Sequence, residues 1–170
     1  MARAEEIFVA ANRWALVLIL AVMSAVVFAN VCLRYLTNDS IVWAEELARY
    51  LMIWMTFLGA GLVLRFGGHV AIDNVHFLLS KPLARLLRII LCLLMIAFFA
   101  VMIWQSIIYM GMMSYQTMPA MGFSFSYAYA AFPIGFGLLI VHLLLILRAY
   151  VLDYRFAESD EMSAEAAASI

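Results

Sequence analysis

From Ile89 to Leu147 the chain runs for 59 residues without an Asp, Glu, Lys or Arg. Water-soluble folds interleave charge with apolar residues and carry about 25% charged side chains. Here the charged fraction is 12%, the apolar fraction 68% and the net charge −1. The solvent that accepts such a stretch is a bilayer. A spanning helix takes about 20 apolar residues at ~1.5 Å each, so this run is too long for one span and fits two with a connection. Met118-Pro119-Ala120-Met121-Gly122 punctuates it. Spans are therefore expected at about 89–112 and 127–147.

The same reading of charge-free runs places a first span at about 14–33, between Arg13 and Arg34. A second lies at about 47–65, where only Tyr50 to Leu64 is uncharged. Fifteen residues reach only about 22 Å, short of the ~30 Å core. The helix must therefore continue backwards through Trp43-Ala44-Glu45-Glu46-Leu47-Ala48-Arg49 as an amphipathic, surface-lying lead-in. Trp43, Leu47, Tyr50 and Trp54 share one face of it. Glu45 and Arg49 stand in the favourable i, i+4 order, and Asp39 or Ser40 can cap the start. The fold class is thus all-α integral membrane, with four transmembrane helices. Residues 1–152 form the membrane domain and 153–170 an acidic tail.

Charge also sets direction. With the N-terminus inside, Arg3, Arg13, Arg65, Lys81, Arg85, Arg88, Arg148 and Arg155 gather on that side, against Arg34 and Arg49 outside. Eight against two predicts both termini in the cytoplasm. Glu5 and Glu6 spoil the basic start of a secretory signal, so an uncleaved first span is expected. The small net charge excludes nucleic-acid binding and steering of acidic substrates, and the composition excludes disorder.

No cofactor or metal is expected. Cys32 and Cys92 fall at opposite ends of their spans, too far apart for a disulfide. Only His142 lies within a span, so a pair of haem-ligating histidines cannot be completed by this chain alone. The outer connection is uncharged and rich in Met and aromatic residues, a surface suited to being covered. Copper binding by its thioethers is the weaker reading. No acid or base lies at mid-span, where a translocation path would need one. Gln105, Thr56 and Ser24 are the polar side chains there. Nor do Ser, His and acidic residues form a catalytic constellation. Small-x3-small patterns at Ala21/Ala25/Ala29, Thr56/Ala60 and Ala131/Gly135 suit helix association instead.

Five blocks carry a family resemblance. They are Asn30-Val31-Cys32-Leu33-Arg34-Tyr35, Ser40-Ile41-Val42-Trp43-Ala44-Glu45-Glu46-Leu47-Ala48-Arg49-Tyr50-Leu51, Trp54-x2-Phe57-Leu58-Gly59-Ala60, His69-Val70-Ala71-Ile72-Asp73 and Phe132-Pro133-Ile134-Gly135. Together they resemble the small, DctQ-like membrane subunit of tripartite ATP-independent periplasmic (TRAP) transporters, over about Trp14 to Arg148. The resemblance implies a bacterial inner-membrane accessory subunit with two protein partners. One is a large multi-span permease carrying Na⁺-coupled, elevator-type transport. The other is a periplasmic binding protein that captures a carboxylate-bearing solute.

On that reading Trp43, Glu45, Glu46 and Arg49 hold the lead-in of span two against lipid headgroups or the large subunit. Asn30 and Arg34 reach toward the acidic pair. His69 and Asp73 cap the next segment or touch a partner. Tyr50, Gly59 and Pro133 are further motif positions. Met112, Met113, Tyr115, Met118 and Met121 are the candidate outer contact. The alternative is a haem-bearing membrane anchor of a respiratory enzyme, resting on four spans and His142.

Overall fold

The computed structural model describes residues 2–66 and 80–153. Among them stand four helices long and apolar enough to cross a membrane. His69, Asp73 and the tail from residue 154 lie outside the described residues.

Helix α1 (Ala2–Thr37) is far longer than the span read from its charges. Its 36 residues extend about 54 Å, so it projects well beyond a ~30 Å hydrocarbon layer. Arg13 marks an expected membrane boundary and not a helix end. The helix stops at Asn38, whose φ of 57° is the left-handed conformation that terminates helices and that Asn tolerates.

Helix α2 (Ala44–Arg65) runs without a break for 22 residues, about 33 Å. The expected lead-in and the span are thus one continuous helix. Neither Asp39 nor Ser40 caps it; Asp39 Oδ1 instead accepts the Ser40 N–H at 2.8 Å. Two backbone bonds close the start, Ala44 N–H to Ile41 O at 3.0 Å and Leu47 N–H to Trp43 O at 2.9 Å.

Helix α3 (Lys81–Met112) begins eight residues before the expected Ile89, with Pro82 in its first turn. That position suits proline, because its missing N–H has no helical acceptor there. After a 3₁₀ turn (Met113–Tyr115) and a tight loop, one helical turn, α4 (Ser126–Tyr129), precedes α5 (Ala131–Asp153). Pro133, a motif position, does not lie in mid-helix. It falls instead in the first turn of α5, just after the break at Ala130, and so marks where the helix restarts.

The helices pack as a row. Helix α1 lies on α2, α2 on α5, and α5 on α3. The last helix is therefore interior: 39% of its most apolar stretch is buried, against 6% in α1. Leu64, Cys92, Phe99, Phe136, Leu139 and Leu143 form the buried cluster along the α2–α5–α3 seams. The Phe57 ring lies 4.4 Å from that of Phe132 and 5.6 Å from that of Phe136. Such contact needs close backbones. A Cβ placed on Gly135 would stand 2.5 Å from the Phe57 Cβ, so only glycine fits. The Ala131/Gly135 pattern thus serves packing within the chain. Ala21, Ala25 and Ala29 are exposed and do not.

Candidate functional site at the two ends of the helix row

Polar side chains tie neighbouring elements at both ends of the row. At the end carrying the α1–α2 turn, Asn30 is buried and its Oδ1 accepts the Ile41 N–H at 2.7 Å. It therefore holds the turn and not the acidic pair. Arg34 Nη2 stands 3.9 Å from Glu45 Oε1, with the two side chains 53% and 75% exposed. Exposed pairs of this kind contribute about 0.2–1 kcal/mol. Glu45 thus faces Arg34 on the neighbouring helix, and the expected Glu45–Arg49 pair is not among the ion pairs of the described residues. Trp43 and Arg49 are exposed beside it.

Glu46 does something different. Its Oε2 accepts the backbone N–H groups of Ala120 and Met121, both at 2.8 Å, and its Oε1 accepts the Tyr50 hydroxyl at 3.2 Å. Successive N–H groups converging on one carboxylate oxygen make a charge-assisted anion nest. The loop is shaped to offer it. Met118 N–H bonds Phe123 O at 2.7 Å, Phe125 N–H bonds Gln116 O at 3.0 Å, and Gly122 turns the chain at φ +72°. Trp54 Nε1–H donates to Tyr127 O at 3.1 Å, a second tie from α2.

Beneath the loop runs an apolar groove of about 330 Å³, lined in part by Leu47, Leu51, Trp54, Met118 and Tyr127. Met118 is turned inward and only 4% exposed, so its surface is already covered within the chain. Met113 and Met121 are half-buried. Met112 and Tyr115, at 60% and 91% exposed, are the open part of the expected outer contact.

At the opposite end, α1 and α2 meet in an antiparallel register. Glu5, Phe8 and Asn12 share one face of α1 by spacing, as Leu58, Gly61 and Arg65 do on α2. Glu5 pairs with Arg65. Asn12 Nδ2 donates to Leu58 O at 3.1 Å and lies 3.3 Å from His142 Nε2. Asn12 is 7% exposed and His142 fully buried. The Phe8 ring lies 5.0 Å from the imidazole. Gly61 makes room for it: a Cβ there would stand 2.5 Å from His142 Cδ2. On the far side of the row, buried Arg88 donates from Nη1 to Tyr150 O at 3.1 Å and from Nε to Ala84 O at 3.2 Å. A guanidinium at the last turn of α5 also suits the negative end of that helix.

Of the other motif positions, Gly59 packs on Leu16, where a Cβ would make ordinary contact. The polar residues expected as helix glue point outward: Ser24, Thr56 and Gln105 are all exposed. Thr56 Oγ1 bonds back to Met52 O in its own helix at 2.9 Å. Sequence reasoning missed Glu5, Asn12, Gly61 and the buried role of Arg88. The 5-8-12 and 58-61-65 spacings are the available signal, hidden because the charge-free run begins only after Arg13.

The arrangement offers ties, not reactive groups. Among the described residues no cluster of three His, Cys, Asp or Glu side chains could hold a metal ion. His142, on which a haem anchor would depend, has its Nε2 directed at Asn12 and its ring edge wedged on Gly61.

The comparisons agree in direction. The profile of the tripartite ATP-independent periplasmic transporters, DctQ component, matches residues 23–152. A TRAP transporter small permease protein of Haemophilus influenzae is 52% identical over 54 residues, 32% of this chain and 34% of that protein. The isethionate TRAP transporter permease protein DctMQ of Oleidesulfovibrio alaskensis is 30% identical over 105 residues, 61% of this chain and 16% of that protein. The C4-dicarboxylate TRAP transporter small permease protein DctQ of Vibrio cholerae is 34% identical over 74 residues, 42% of this chain and 32% of that protein. The matched segments thus span about a third of the two small permeases and less of DctMQ. With the profile covering most of its length and four helices able to span a membrane, the chain belongs to the DctQ family of TRAP transporter components.

Proposed function

We propose that this chain is the bracing small subunit of a Na⁺-coupled, binding-protein-dependent transporter for a carboxylate-bearing solute, with no translocation path of its own. It sits in the bacterial inner membrane with both termini cytoplasmic, as the distribution of Arg and Lys favours.

One observation carries the reading: buried polar side chains are spent on ties between helices and between helix and turn. Asn12, Asn30, Arg88 and His142 are the buried polar residues among those described. Asn12 and His142 meet one another, while Asn30 and Arg88 hold backbone groups. A substrate path requires polar groups turned toward a cavity, in unwound or broken helices. An open row also leaves broad apolar faces for a larger membrane partner. Gln105 on α3 is exposed within a span, where an amide is costly against lipid and suited to a hydrogen bond from another helix. The DctMQ relative, in which the matched segment is 16% of a much longer permease, supports a large permease as that partner. The name of the Vibrio cholerae relative supports a carboxylate solute, while isethionate, named for the DctMQ relative, is an organic anion of the sulfonate class.

Reconstitution tests this directly. The isolated chain in liposomes under a Na⁺ gradient should give no solute flux, while the complex with the large subunit and binding protein should transport. Flux through the isolated chain would overturn the bracing role. Replacing the outer residues, Met112→Asp with Met113→Asp, should reduce co-purification of the large subunit several-fold; unchanged recovery would move the contact elsewhere.

A further inference from the structure

The junction of α1, α2 and α5 fixes the protonation of a buried histidine. Leu58 O has no proton to give, so the Asn12 amide must present its NH₂ group to it at 3.1 Å. That choice sets the whole amide. The same Nδ2 stands 3.3 Å from His142 Nε2, which must then be the acceptor. An imidazole nitrogen accepts only when it carries no proton. A protonated Nε2 would set donor against donor inside a seam where the ring edge lies close against Gly61.

We infer that His142 is a neutral imidazole whose bare Nε2 is the positioning acceptor that seats α1 on the α2–α5 pair; its proton then sits on Nδ1, a buried nitrogen with no hydrogen-bond partner among the described residues, a cost that the Nε2 contact must outweigh. Helix α1 lies at the edge of the row and buries little of itself. Its apolar surface meets lipid and protein on nearly equal terms, so packing alone fixes its place weakly. The Asn12 amide, shared between a carbonyl of α2 and an imidazole of α5, joins three helices at one point. The Glu5–Arg65 pair flanks it on the same faces. This inference does not depend on which partner the subunit braces.

Nitrogen NMR of the full chain in bilayers, with histidine ¹⁵N-labelled and His69 and His76 replaced by glutamine, reads the tautomer without disturbing the junction. The His142 signals should show Nδ1 protonated and Nε2 bare. A protonated Nε2, in either the neutral or the cationic ring, overturns the assignment. Seating is read from a disulfide between Leu16→Cys and Gly59→Cys, a pair already in contact, in a background lacking Cys32 and Cys92. His142→Leu should lower the yield about fivefold, as expected for loss of one interhelical hydrogen bond. His142→Gln, which retains an acceptor, should restore it. Equal yields for leucine and glutamine would sink the positioning role even if the tautomer holds.

Discussion

The two ends of the row are tied by different chemistry. Where α1, α2 and α5 meet, side chains reach from helix to helix: Asn12 to the Leu58 carbonyl and to His142, with the Glu5–Arg65 pair beside them. At the loop end, beside the exposed Arg34–Glu45 pair, side chains hold turn and loop backbone: Asn30 on Ile41, Glu46 on Ala120 and Met121, Trp54 on Tyr127. The first pattern fixes helices to one another. The second fixes a loop onto a helix and leaves that loop's aromatic rim exposed. A cross-tied end and a shaped, partly open end fit the bracing role proposed above.

Three perturbations would break or sharpen this contrast. The largest effect should come from neither end but from the seam between them. Gly135→Leu forces a side chain into the Phe57 contact and should cost about 3 kcal/mol, the upper range for overpacking. A thermal unfolding midpoint in detergent that stayed at the wild-type value would show that α2 and α5 can separate freely. Next, Glu46→Ala should cost about 2 kcal/mol, because two N–H groups lose a charged acceptor. Hydrogen exchange should accelerate at Ala120 and Met121 and not at the Asn12 junction. Acceleration at both places would mean that the ends are coupled and the distinction between them is false. The smallest effect belongs to Arg34→Gln, below about 0.5 kcal/mol for so exposed a pair. A large destabilisation would promote Arg34–Glu45 to a true clasp.

Much of the architecture was legible from charge alone. Three charge-free stretches, the longest divided by its Pro/Gly connection, announce four spans because hydrocarbon tolerates almost no ionised group. Helix ends were harder. Charge marks where a helix meets headgroups, whereas helix ends follow backbone chemistry, such as Asn38 in the left-handed region. Arg13 and Arg88 both lie inside helices that continue well past them. The partners of Glu46 were out of reach for another reason. A spacing argument sees neighbours three or four residues away, and the loop amides are 74 and 75 residues on. The spatial order of the helices is likewise non-local: nothing in the periodicity of α3 says that α5 separates it from α2.

That spatial order bears on how the subunit is made. Helices α1 and α2 emerge in succession and can pair as soon as both are inserted. Helix α3 emerges third but rests on α5. It must therefore wait in lipid, its buried face uncovered and Arg88 without the Tyr150 carbonyl, until the final helix slides between it and α2. The row thus closes only once α5 is in place, and a chain stopped before α5 lacks the helix on which α3 packs.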